Sequence, residues 1–203
     1  LPWGALSGFA ADPSVAGRLY AVTDSFYTEA QILTVDATQT PARITAAVTV
    51  SRDGKPATGL DIEGIAMRSG GGFWLASEGN PERKEGVLPD RLLAVSASGV
   101  IEAEHLLPQA IAGQAVRFGF EGVTATGSGA DEVVWLAVQR EWKDDPKGLT
   151  KIVRFKPSTK EWGVYHYPLG ATSAGWMGLS EITAVGQDEF IVIERNNQWG
   201  DLA

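Results

Sequence analysis

Short apolar runs broken by polar residues and glycines recur along the whole chain, and the longest spans only about six residues, the length of a strand rather than of a buried helix. One pattern appears four times: an aromatic residue, a short apolar run, and a polar residue four positions after the aromatic. The copies are Tyr20–Asp24 (YAVTD), Trp74–Glu78 (WLASE), Trp135–Gln139 (WLAVQ) and Phe190–Glu194 (FIVIE). Their aromatics step from 20 to 74, 74 to 135 and 135 to 190, intervals of 54, 61 and 55 residues. A second repeated string precedes each copy: SGFA at Ser7–Ala10, EGIA at Glu63–Ala66, EGVT at Glu121–Thr124 and SEIT at Ser180–Thr183. Glycine-rich or polar linkers (DPSVAG, RSGGG, GSGAD, GQDE) join the two strings, so each pair predicts a β-hairpin.

Two further extended segments follow each of the first three hairpins: Gln31–Val35 with Ala42–Val50, Arg91–Val95 with Val100–Leu106, and Lys151–Phe155 with Trp162–Tyr167. Four short strands per repeat of roughly 57 residues predict an all-β fold, a β-propeller of four-stranded blades. Second strands such as VVWLAV and FIVIE are apolar on consecutive residues, as strands covered on both faces must be. Solenoids, sandwiches and barrels are the competing readings, and a sandwich would not require the regular recurrence. The repeats fall at about 6–50, 60–107, 118–169 and 178–203, so residues 1–203 read as a single partial propeller domain of about three and a half blades. Propellers commonly have about four to eight blades. An open arc exposes strand edges and apolar faces, and the remaining blades are expected from residues outside this sequence or from another chain. The chain opens on Leu1 without a charged-then-apolar leader, as expected where a leader has been removed or the sequence begins internally.

Composition narrows the function classes. The 203 residues contain no cysteine, which excludes a disulfide framework, a zinc ribbon and a cysteine nucleophile. Lys and Arg total 17 against 25 Asp and Glu, for a net charge of −8, and the cations form no basic stripe, so no nucleic-acid partner is expected. No apolar run approaches the roughly 20 residues of a membrane-spanning helix, and no membrane span is expected.

Repetition also picks out the candidate chemistry. Equivalent positions on rotationally related blades converge at one end of a central channel. By string alignment, Asp24, Glu78, Gln139 and Glu194 close the second strands, while Glu63 and Glu121, with Asp61 nearby, open the first ones. Ser7 and Ser180 hold the glutamate slot in the first and fourth repeats, leaving Glu181 one place late. Converging carboxylates raise one another's pKa unless a cation intervenes, and several oxygen ligands from separate segments suit Ca²⁺ or Mg²⁺. The competing reading is that these groups only tie neighbouring blades together by hydrogen bonds. Arg117, Arg140 and Arg195 lie beside the acidic sets and either bind an anion or neutralise the cluster. His105 and His166, on outer strands, are expected to be structural, and Gly127–Asp131 reads as a hairpin turn rather than a nucleotide loop. No G-x-S-x-G elbow occurs. The loops Pro81–Asp90 and Glu141–Gly148 read as solvated connections, and Trp142, Trp176 and Trp199 as loop aromatics able to line a cleft.

With the repeats laid out, the strings LSGFAADPSVAGRLYAVTD, DIEGIAMRSGGGFWLASEGNP, RFGFEGVTATG, VWLAVQREWKDDPKG and GLSEITAVGQDEFIVIERNNQWGD resemble the phytase-like domain family, described as having esterase-like activity of phytase. They run from about Leu6 to Asp201. The resemblance implies a propeller of six or a similar number of blades, a periplasmic or secreted location, and hydrolysis of a small-molecule ester or phosphate ligand with calcium assistance. On that reading Asp24, Glu78, Glu194 and Glu181 are the expected Ca²⁺ ligands. Glu63 and Glu121 are the expected acid–base groups, and Arg117, Arg140 and Arg195 the groups that receive an anion. Two alternatives stay open: a non-catalytic propeller that binds a ligand or protein partner, and carboxylates that serve blade closure alone.

Overall fold

The computed structural model describes residues 4–198. Three antiparallel sheets of four strands follow one another. The first comprises β1 (Leu6–Ala11), β2 (Arg18–Thr23), β3 (Gln31–Asp36) and β4 (Arg43–Thr49), side by side in chain order. A two-residue ribbon, β5 (Ser51–Arg52) with β6 (Lys55–Pro56), leads to the second: β7 (Ile62–Met67), β8 (Phe73–Ser77), β9 (Arg91–Val95) and β10 (Ile101–Leu106). A one-turn helix, α1 (Gln109–Ala112), precedes the third: β11 (Phe120–Thr126), β12 (Val133–Val138), β13 (Leu149–Lys156) and β14 (Glu161–Pro168). A final hairpin pairs β15 (Met177–Ala184) with β16 (Phe190–Asn196). These sheets are propeller blades, and the chain is an all-β propeller arc.

The first strands of the blades, β1, β7, β11 and β15, stand beside one another and form the inner wall. Glycine makes that approach possible. A Cβ on Gly8 would lie 2.9 Å from the Glu63 carbonyl oxygen, and one on Gly64 only 2.4 Å from that of Glu121. A Cβ on Gly122 would lie 2.4 Å from the Ile182 nitrogen. The glycine of each EG or SG string is therefore what lets one inner strand pack against the backbone of the next.

Outward from this wall, blades stack through apolar side chains on both faces. Val22, Ile32, Ile65, Phe73, Leu75 and Leu93 fill the space between the first two blades. Trp74, Ala76, Leu92, Leu136, Val138 and Phe155 fill the next. All five residues of β8 are buried, as its unbroken apolar run predicts. The last hairpin differs: β16 pairs only with β15 among the described residues, and its Ile191 and Ile193 are 60% and 54% exposed.

The loops expected to be solvated connections are partly buried, because their polar groups serve neighbouring segments. Asp90 accepts hydrogen bonds from the backbone N–H groups of Gly79 (2.9 Å) and Phe120 (2.9 Å), so it joins the second blade to the third. Burial nonetheless pushes its pKa up. Asp145, inaccessible to solvent, accepts from the Lys151 ammonium and sits 2.9 Å from His166 Nε2. Trp142 is 3% exposed and lies against that ammonium rather than lining a cleft. His105 packs against the rings of Phe155 and Trp74, and burial lowers its pKa. Residues 127–131 form a hairpin turn, with Gly127 and Gly129 at positive φ.

Candidate functional site

Every inner strand breaks its ladder at the same place. Leu6 pairs with Thr23 and Gly8 with Val22, leaving Ser7 without an opposite residue. Glu63 is skipped between Ile62 and Gly64, and Ser180 between Leu179 and Glu181. In the third blade the irregularity spans Glu121 and Gly122. Such a bulge re-aims a side chain that strict alternation would commit to one face of the sheet.

The register also corrects the string alignment of the fourth repeat. Tyr20, Trp74 and Trp135 face Ala10, Ala66 and Thr124, and the equivalent partner of Thr183 is Ile191, not Phe190. The slots of Asp24, Glu78 and Gln139, just past the residue facing the bulge, are therefore filled in the fourth blade by Arg195, not Glu194. A slip of one residue reverses the face of every side chain. Glu194 accordingly accepts from the Tyr167 hydroxyl (2.6 Å) and the Gly170 N–H (2.8 Å), away from the inner wall, and holds the Tyr167 pKa up at about 12. The blades thus contribute paired positions: Ser7 with Asp24, Glu63 with Glu78, Glu121 with Gln139, and Ser180 with Arg195.

Carboxylate oxygens of Asp61, Glu63 and Glu78 lie within 4.8 Å of one another. Asp61 accepts from the Ser25 N–H at 3.0 Å, and Glu78 from the Gly119 N–H at 2.9 Å, so the second blade's acids are tied to both neighbouring blades. The Gln139 amide donates to Glu121 Oε1, and Arg195 Nε donates to Ser180 Oγ at 2.7 Å. Burial pushes Glu63 up to about 8, and the charges of Asp61, Glu78 and Asp24 push the same way. Glu121 rises to about 9 by burial, with Glu63 and Glu78 adding to the effect and Arg195 opposing it. Glu78 rises to about 7 by burial, against the Gly119 hydrogen bond and the charge of Arg117. Glu181 also reaches about 7 by burial, but it occupies the glycine slot, against Gly122 and bonded to the Ile182 N–H, and is not in the Asp61–Glu63–Glu78 cluster.

The three arginines gather on two aromatic rings. Arg140 Cζ lies 4.6 Å from the Trp176 ring centroid and 5.5 Å from that of Phe118. Arg195 is 5.6 Å over Trp176 and Arg117 is 5.4 Å over Phe118. The rings themselves are 5.3 Å apart. Trp199, the third loop tryptophan, lies outside the described residues.

Of the expected site residues, the structure brings Glu63 and Glu78 together, with Asp24 and Glu121 close enough for their charges to bear on the pair or feel it. It sets Glu194 and Glu181 apart. Asp61, noted in the sequence only as a neighbour, joins the cluster, and Gln139 becomes the partner of Glu121. Three hard oxygen donors in one half-buried group, with Asp61 raising the pKa of both glutamates, fit a divalent cation of the Ca²⁺ or Mg²⁺ kind.

The inner wall and this cluster define a β-propeller with acidic and cationic groups gathered at one end of its blades. The chain belongs to the phytase-like family, whose model, described as esterase-like activity of phytase, matches residues 1–203. Family and fold support a propeller hydrolase in general. Comparisons with curated proteins and with solved structures found no match. Among the described residues no helix is long and apolar enough to cross a membrane.

Proposed function

We propose that this propeller hydrolyses phosphate or carboxylic esters, with a divalent cation, Ca²⁺ by preference, held by Asp61, Glu63 and Glu78 and approached by Asp24. The convergence of three carboxylates within 4.8 Å carries the reading. When bound, such a cation supplies Lewis-acid polarisation of the ester oxygen. Glu121 keeps its proton to about pH 9 and is oriented by the Gln139 amide, so it is suited to protonate the departing alkoxide. Arg117, Arg140 and Arg195 supply positive charge for an anionic group on the substrate or for charge that develops in the transition state. Family membership supports placing the protein outside the cytoplasm.

Melting with and without millimolar Ca²⁺ tests the cation site, because a ligand that prefers the folded state raises Tm. The expected result is a rise in Tm that Glu63→Gln and Glu78→Gln each abolish. No rise with Ca²⁺ or Mg²⁺ removes the cation from the mechanism. Arg117 is exposed and makes no ion pair among the described residues, which favours one alternative: a propeller that binds an anionic ligand without turnover. That reading predicts no hydrolysis of any ester with the cation present.

A further inference from the structure

The ring pair beneath the arginines is built at some cost. Phe118 has φ +73°, a left-handed backbone that a bulky residue rarely adopts, so its surroundings must hold it there. The restraints are visible on the next two residues: the Gly119 N–H is bonded to Glu78 and the Phe120 N–H to Asp90. A Cβ on Gly119 would lie 1.8 Å from an Asp90 oxygen, so only glycine can follow the strained phenylalanine. Trp176 is clamped from the other side, its N–H donating to Asn197 Oδ1 at 3.0 Å and its carbonyl accepting from the Asn197 N–H at 3.2 Å.

The cations on these rings are under-used. Arg140 Nε is buried with no hydrogen-bond partner, and its nearest carboxylate, on Glu141, is 3.8 Å away. Arg117 and Arg195 make no ion pair among the described residues, and Arg195 is instead fixed by Ser180. In a chain of net charge −8, three guanidiniums gathered over aromatic faces, with only one distant carboxylate contact among them, leave most of their N–H groups for another acceptor.

We infer that Phe118 and Trp176 are positioning residues that hold Arg117, Arg140 and Arg195 as a receptor for a substrate oxyanion, a phosphate or a carboxylate, so that esters carrying negative charge are selected. The inference rests on the ester-hydrolase reading for its use of the word substrate, but the receptor itself is testable by binding alone. A guanidinium over a ring still offers several N–H donors in a fixed fork, which suits flat or tetrahedral oxyanions and does nothing for a neutral ester.

Calorimetric titration of inorganic phosphate, and separately of succinate, into the whole chain at fixed salt reads the receptor. Their relative affinities distinguish the two oxyanion sources. The expected result is binding of at least one anion, weakened about tenfold by Trp176→Ala and largely recovered in Trp176→Phe. Arg140→Lys keeps the charge but loses the planar fork of donors, and should weaken binding as Trp176→Ala does, without depending on removal of a large side chain. Binding unchanged in Trp176→Ala and Arg140→Lys overturns the proposal, as does wild-type protein that binds neither anion. Wild-type turnover of p-nitrophenyl acetate and p-nitrophenyl phosphate separates the two readings: anion binding without hydrolysis of either ester sinks the hydrolase and leaves the receptor standing. Turnover of both with no platform effect on anion binding does the reverse.

Discussion

Glu63, Glu78 and Glu121 hold protons in the folded state that they would release in the unfolded chain, with pKa values of about 8, about 7 and about 9 against an ordinary 4.5. A raised carboxyl pKa means that stability is fully present below pH 4.5 and is lost progressively as pH climbs through the folded values. Cation-free protein should therefore melt at a lower temperature at pH 9 than at pH 5, and Glu121→Gln, which removes the highest of the three, should flatten the slope. Near its Tm, a domain of this size shifts by about 2–4 °C per kcal/mol, so the trend is measurable by calorimetry. A Tm independent of pH across that window would show that the fold does not hold these protons on the three acids. Glu63 and Glu121 were legible because glutamate recurs in the EG strings. Asp61 was legible only as a neighbour, since nothing in its own string repeats. Asp90 and Asp145 were read as solvated because their burial comes from other segments, which a local pattern does not report.

At the scale of the strand, the hairpins and blades follow directly from alternating strings and turns, because local pattern and tertiary role agree there. The fourth repeat was misplaced by one position because Phe190 matched an aromatic motif that the ladder assigns to Ile191, and string similarity carries no information on pairing. The register makes a sharp prediction: Glu194→Gln should leave the Ca²⁺-induced rise in Tm intact, whereas Glu78→Gln abolishes it. Loss of the rise in Glu194→Gln would restore the string alignment. Inner-wall packing gives a second test. Gly64→Ala forces a methyl into the backbone of the neighbouring strand and should cost about 1–3 kcal/mol in urea unfolding. Gly70→Ala, at a turn with no atom within 4 Å of the added carbon, should change stability little. Equal effects would mean that the inner strands do not pack as described.

Across the whole molecule, apolar clusters fill the spaces between blades up to the last hairpin, where Ile191 and Ile193 are exposed and β16 has one partner among the described residues. An exposed apolar strand edge of this kind is a surface on which another strand can pair. Unpaired apolar edges associate. Light scattering should accordingly show concentration-dependent association of this chain, relieved in the double variant Ile191→Lys/Ile193→Lys. A monodisperse wild-type monomer would mean that the edge needs no cover. Blade number, by contrast, is not encoded in any one repeat, and the sequence reading could count only the repeats present.

The paired positions at the inner wall carry a polarity that no single residue has. Read from the first blade to the fourth, they run from one acid (Asp24), to two (Glu63, Glu78), to one capped by an amide (Glu121 with Gln139), to a cation (Arg195). Above about pH 8, where Glu63 and Glu78 give up their protons, the mouth is therefore a lateral dipole, with a negative side on the second blade and a positive side toward the fourth. A molecule with a charged end would be turned by this field before it made contact, arriving with its anion toward the arginines and its neutral bond toward the acids. Such steering acts on encounter rate and fades as salt is added.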